Sequence, residues 1–361
     1  RRSDRPPRSF PGKVTAFLFH RFEHFKGDPS KALVFIPCEL IDKNGEKLKE
    51  IVERYAREWE LGAAFLGWLG ASDFCNSLVD RIVPGYPREE AAALCEKLGY
   101  EDKLLVAGEI FHLWVIESAA DHSAELPLEQ AGLNVIWTGD MSFYRTRKVR
   151  ILNGAHTSGV LAAYLYGLDT VEQCIRDPLI AKMMKKTVFE EIIPSMEGDS
   201  AELTQYARDV FERFANPYIK HLLLSISLNS VSKFKTRVLP SLTGAFAKTG
   251  KPPALLSFSL AALIAFYNGR NLAGRELTGQ RKGVPYTIQD DEAILKRFAA
   301  LYAETEGGEG EKARRITRAV LGSVDWWGED LLAYGGLEAA VSADLAGIWS
   351  SGIKRVIEGL V

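Results

Sequence analysis

From Lys148 to the C-terminus almost every segment of this chain repeats its apolar residues at helical spacing, and that texture restricts the fold more than any other feature. The stretches 148–168, 170–175, 179–193, 200–214, 219–239, 253–267, 290–302, 314–320 and 337–360 all read as helices, and the breaks between them contain Gly, Pro, Asn or Asp. Upstream the pattern alternates. Residues 14–25 have a helical period, whereas 32–37 (Ala-Leu-Val-Phe-Ile-Pro) form a short continuous apolar run, as expected of a strand buried on both faces of a parallel sheet. A polar loop, 38–45, follows at its carboxyl end, where open α/β sheets bind ligands. Next come an amphipathic helix at 46–58, a short helix around 65–68, a strand-to-loop segment at 74–83 and a helix at 89–98. The β-rich runs 111–117 and 133–138 predict a small antiparallel pair. The expected fold class is therefore α/β plus all-α: an open α/β domain with a small β extension over 1–143, then a mainly helical domain over 144–361.

A length of 361 residues allows two such domains. A formal net charge of −2 argues against nucleic acid as the main partner. No apolar run reaches the ~18–20 residues of a membrane span, and 253–267 is too short and predicts a buried helix. The first eight residues are basic and lack an apolar core, unlike a secretory signal. Four cysteines without C-x-x-C spacing predict a reduced, cytoplasmic protein, and six histidines without an H-E-x-x-H pattern predict no metal. The acidic, Gly-rich 304–311 predicts an exposed loop, and monomer and dimer both stay open.

The segment Arg147-Lys148-Val149-Arg150-Ile151-Leu152-Asn153-Gly154-Ala155-His156-Thr157 carries the chemistry. On a helix Asn153 and His156 are about 60° apart and Lys148 is about 80° from His156, so an amine, an amide and an imidazole project from one side. Carbinol oxidation needs such a trio: a base for the hydroxyl proton, an N–H for the alkoxide, and a donor that orients the substrate. A lysine beside two arginines is equally a solvated face, and Asn-Gly equally a turn.

The spacing K-x4-N-x2-H of Lys148, Asn153 and His156 resembles the signature of the long-chain polyol dehydrogenases, the mannitol dehydrogenase family. Four further blocks resemble a sugar-acid branch of that family: Ser9-Phe10-Pro11-Gly12-Lys13, Pro37-Cys38-Glu39-Leu40-Ile41-Asp42-Lys43-Asn44-Gly45, Phe74-Cys75-Asn76-Ser77-Leu78-Val79-Asp80-Arg81-Ile82-Val83-Pro84-Gly85, and Asn216-Pro217-Tyr218-Ile219-Lys220-His221. The resemblance implies NAD as cofactor and hydride transfer between D-altronate and D-tagaturonate, a step of galacturonate breakdown, with a small sugar acid as the molecular partner. It makes Lys148 the general acid/base, Asn153 the alkoxide donor and His156 a partner of a neighbouring hydroxyl. A lysine in that role needs a pKa well below the ordinary ~10.4, toward about 7–8. Cofactor contacts fall to Pro37, Cys38 and Glu39, and substrate contacts to Asn44, Asp80, Arg81, Lys220 and Lys233.

Two departures stand beside this. Mannitol-type relatives have asparagine where this chain has Leu40, so either Asn153 works alone or Glu39 or Asn44 takes part of the oxyanion role. No glycine-rich turn follows a strand, so the chain is expected to open within the family's Rossmann domain, with on the order of 100 residues upstream of it. For the carboxylate, Arg81, Lys220, Lys233, Lys235 and Arg237 are candidates, although Lys235 and Arg237 read better as a solvated face and His221 as a satisfied histidine. Fructuronate reduction, mannitol-type polyol oxidation and a catalytically silent helical module are the alternatives.

Overall fold

The computed structural model describes every residue except Arg1, Arg2, Arg5 and Pro84, so parts of the basic N-terminus and of the 74–85 block lie outside the described residues. The chain divides into two compact units, Arg1–Ile82 with Glu109–Arg145, and Val83–Gly108 with Thr146–Val361.

In the first unit β1 (Val34–Phe35) pairs in parallel with β2 (Asp73–Phe74), and β3 (Asn76–Asp80), β4 (Leu113–Glu117) and β5 (Val135–Thr138) form a second sheet. The expected antiparallel pair is corrected here. β4 and β5 run parallel, Trp114 opposite Val135, and the antiparallel neighbour of β4 is β3. The connection 118–134 is a crossover in length, not a hairpin, which the apolar runs alone do not reveal.

Helices Phe10–His24, Asn44–Glu58 and Ala63–Leu69 bury Leu18, Val52, Phe65 and Leu69 against Phe74 of β2. The Asn44–Glu58 helix starts without a cap of its own, and Asn76 of β3 supplies one, its Oδ1 accepting from Gly45 and Glu46 N–H at 3.1 Å. This close seating needs glycine at 45, because a Cβ there would lie 2.2 Å from the Cys75 carbonyl oxygen.

The second unit is built around the helix Ala254–Phe266, buried from Leu255 onward, which packs against Gly154–Tyr166 and Leu337–Ser351. Glu191 caps it, accepting from Leu255 N–H at 2.9 Å and Leu256 N–H at 2.8 Å. The unit is not all-α. β6 (Gly269–Ala273), β7 (Glu276–Arg281) and β8 (Val284–Gln289) form an antiparallel meander with Leu277, Tyr286 and Ile288 buried. Lys282 and Gly283, both at positive φ (52° and 82°), make its two-residue turn.

Helix 200–214 falls where the periodicity places it. Others are interrupted: 219–239 becomes Leu223–Ile226 and Ser230–Arg237 around a left-handed Asn229, and 337–360 breaks at Gly352. Among the described residues no helix is long and apolar enough to cross a membrane.

Candidate active site

The chemistry-bearing segment is not a plain α-helix. Ser142–Arg147 is α-helical, Lys148–Asn153 is a π-helix, and Gly154–Tyr166 is α-helical again. On an α-helix Lys148 and Asn153 would be about 140° apart. In a π-helix residues five apart occupy consecutive turns, which brings the amine and the amide to one face. Both residues are half-buried, whereas His156 in the next turn is 4% exposed.

Two rings pack on His156. Its ring stacks on Phe214 at 4.2 Å and meets the edge of His221 at 5.3 Å. His156 Nε2 and His221 Nδ1 are buried without a hydrogen-bond partner among the described residues. Burial first, then His221 and the cations Arg237, Arg213 and Lys233, push His156 well below the ordinary histidine pKa. Burial and Lys233 lower His221 in the same direction, so both rings are neutral near pH 7.

Lys233 and Arg237 come from the Ser230–Arg237 helix. Lys233 Nζ donates to the Ile226 carbonyl at 2.8 Å, and burial followed by the Arg237 charge brings its pKa to about 8. Arg237 is half-buried, and among the described residues its guanidinium has no carboxylate or hydrogen-bond partner. Gly154 permits the approach of this helix, since a Cβ there would sit 3.2 Å from the Arg237 carbonyl. The neighbouring arginines of the π-helix have other work. Arg150 donates to Ser241 Oγ at 2.6 Å and Ser195 Oγ at 2.9 Å, and Arg147 pairs with Glu202 at 2.5 Å over the Tyr206 ring. Lys233, Arg237 and Arg213 all act electrostatically on His156, while the Asp290 carboxylate acts on Lys233 in the opposite sense.

Several expected contacts are placed differently. Asn44 is 3% exposed and its amide is engaged at both ends, Nδ2 donating to Pro37 O at 2.8 Å and Oδ1 accepting from Ser77 N–H at 2.8 Å. It latches the 37–44 loop onto β3. Lys220 lies at the surface and pairs with Glu89 at 2.5 Å, outside the cationic cluster, while its neighbour His221 turns inward. Asp80 is 1% exposed at the end of β3, and Arg81, exposed, donates to the Glu109 carbonyl at 2.7 Å. Pro37 is buried and Cys38 and Glu39 are exposed, in the loop that leaves the carboxyl end of β1; Leu40 beside them is 93% exposed.

Arg213 and the stacking Phe214 are what sequence reasoning missed, and Arg237, read there as part of a solvated face, is half-buried. One signal existed: Lys233 and Arg237 are four apart and share a helix face, while Lys235 lies on another.

Comparison with known proteins agrees with this architecture. Residues 8–130 match the mannitol dehydrogenase Rossmann domain and residues 140–348 the mannitol dehydrogenase C-terminal domain. Altronate oxidoreductase of Yersinia pestis is 46% identical over 98% of this chain and 71% of its own length. That of Cronobacter sakazakii is 46% identical over 99% of this chain and 72% of its own length. Among solved structures, Pseudomonas fluorescens mannitol 2-dehydrogenase in ternary complex with NAD and D-mannitol matches with a TM-score of 0.71 at 22% identity, covering 98% of this chain and 66% of that one. A substrate-free D-sorbitol dehydrogenase matches with a TM-score of 0.73 at 22% identity, covering 97% and 67%. The chain belongs to the mannitol dehydrogenase family.

Proposed function

We propose that this chain belongs to an NAD-dependent, cytoplasmic oxidoreductase that interconverts D-altronate and D-tagaturonate. The observation that carries the reading is the cluster of Lys233, Arg237 and Arg213 around His156, behind a π-turn that aligns Lys148 with Asn153. A neutral polyol has no use for an open guanidinium, whereas a sugar-acid carboxylate pairs with one in fork geometry. The altronate oxidoreductases at 46% identity support the same substrate class. Four free cysteines fit a reducing compartment.

In the oxidation direction the neutral amine of Lys148 takes the proton of the substrate hydroxyl. The Asn153 amide N–H donates to the oxygen as it becomes an alkoxide, and neutral His156 hydrogen-bonds an adjacent hydroxyl through the nitrogen that has no protein partner. Arg237 and Lys233 hold the carboxylate and fix which carbinol carbon meets the base. NAD, when bound, supplies the hydride acceptor. The residues present fit one flank of a dinucleotide, because the loop at the carboxyl end of β1 exposes Cys38, Glu39 and the apolar Leu40 and Ile41 beside polar backbone. Pro37, Cys38 and Glu39 would line it.

The test is NADH oxidation by the full-length enzyme with tagaturonate, fructuronate and fructose side by side. Tagaturonate should be reduced with the highest kcat/KM, and preferential turnover of fructose would overturn the assignment.

A further inference from the structure

Away from that site, three side chains with metal-ligating atoms converge in the first unit. Asp73 and Cys75 are two apart on extended chain at the β2–β3 junction and project to one side, and His122 reaches them from the loop after β4. Their ligand atoms all lie within 4.8 Å of one another, His122 Nε2 being 2.9 Å from Asp73 Oδ2. Cys75 is 1% exposed. The outer nitrogen of the imidazole, Nδ1, is 3.3 Å from Glu125 Oε1, and Ser118 Oγ donates to Asp73 Oδ2 at 2.5 Å.

We propose that Asp73, Cys75 and His122 form a zinc site, with Glu125 orienting the imidazole from outside. Cys75 packs in the core with Ile116 and Val135, and an Asp73–His122 ion pair accounts for the raised pKa of His122, but neither accounts for two features of the arrangement. One is the thiol within ligand distance. The other is the second carboxylate on the far ring nitrogen, the arrangement that fixes a metal-bound histidine. A sulfur, nitrogen and oxygen donor set suits zinc and disfavours calcium or magnesium. Bonds of about 2.0–2.3 Å place tetrahedral donors roughly 3.3–3.8 Å apart, so the site needs shifts of under about 1 Å around the ion. Asp73 opens β2 and Cys75 follows its last residue, so an ion there would tie that strand to the loop after β4. The metal therefore braces the first unit. Binding displaces the thiol proton of Cys75, so affinity rises with pH.

Zinc chloride titrated into the full chain against a chromophoric chelator, together with cobalt substitution followed by near-ultraviolet absorption, tests this. One ion per chain should bind at or below about 1 μM, raise the thermal midpoint, and give cobalt a thiolate charge-transfer band. Cys75→Ser and His122→Ala should abolish the band, and Cys38→Ser should leave it intact. The exposed Glu125→Gln, which should fold even where Cys75→Ser does not, should weaken binding about 10–100-fold. Absence of micromolar binding overturns the proposal, as does a band that survives Cys75→Ser or an affinity indifferent to Glu125→Gln.

Discussion

On the proposed mechanism, removing the amine of Lys148 removes the base, while the half-buried position tolerates the smaller side chain. Lys148→Ala should lower kcat by about 10²–10⁴-fold with secondary structure retained, and a small external amine should restore part of it. Asn153→Ala should cost about 10²–10³-fold through the lost alkoxide donor. Retained activity per folded molecule with a lowered melting temperature would make Lys148 structural. Lys233 adds a pH signature. With its pKa at about 8, its ammonium is present below that pH and disappears above it, so KM for a sugar acid should climb as pH rises through about 8. In Lys233→Arg the charge persists and the climb should flatten. The linkage to stability has the opposite sense. Between about 8 and 10.5 the unfolded chain binds the proton that the folded lysine has lost, so this group's contribution to stability grows with pH across that window. At this scale the sequence singled out Lys148, Asn153 and His156 as candidates, because the proposed chemistry is read from spacing. It hid the neutrality of His156, which depends on Phe214, His221 and Arg237 arriving from elsewhere in the chain.

The π-turn at Lys148–Asn153 and the close helix contact at Gly154 set the geometry that those residues share. An alanine at 154 gains helix propensity of up to about 1 kcal/mol, yet its Cβ would press on the Arg237 carbonyl at 3.2 Å. Stability of Gly154→Ala should therefore change little, while KM for the sugar acid rises as the Ser230–Arg237 helix is displaced. An unchanged KM would show that the contact relaxes without moving Arg237. Gly45→Ala has no such latitude, because Cys75 O would be 2.2 Å away on a backbone tied into the β2–β3 junction. It should destabilise by about 1–3 kcal/mol or more, measured by denaturant midpoint. Ser200–Phe214 was legible by its apolar period and Ala254–Phe266 by an apolar run of helical length, each bounded by breakers. The meander β6–β8 was not. Its strands are short and its apolar positions sparse, although Leu277, Tyr286 and Ile288 alternate with exposed residues about a two-residue turn. The parallel pairing of β4 and β5 was equally hidden, since strand direction depends on the crossover and not on the runs it joins.

Over the whole molecule the net charge is only −2, yet the second unit concentrates Lys233, Arg237 and Arg213 at one buried place. A local positive field in a nearly neutral protein acts over about a Debye length, so added salt should raise KM for tagaturonate and leave KM for neutral fructose unchanged. The same reasoning makes Arg237 the residue on which substrate class depends. Its guanidinium is half-buried and has no protein carboxylate among the described residues, so a carboxylate-bearing substrate completes it, whereas a neutral sugar leaves it with water or unpaired. Arg237→Gln keeps hydrogen-bonding capacity and much of the volume but removes the charge and the fork. A charge-assisted bond contributes about 1.5–3 kcal/mol, so kcat/KM for tagaturonate should fall about 10–150-fold while that for fructose holds or improves. The ratio of the two kcat/KM values isolates recognition from catalysis, because Lys148 and Asn153 act on both substrates alike. A ratio that stays at its wild-type value would put the carboxylate at another cation and remove Arg237 from the account of specificity.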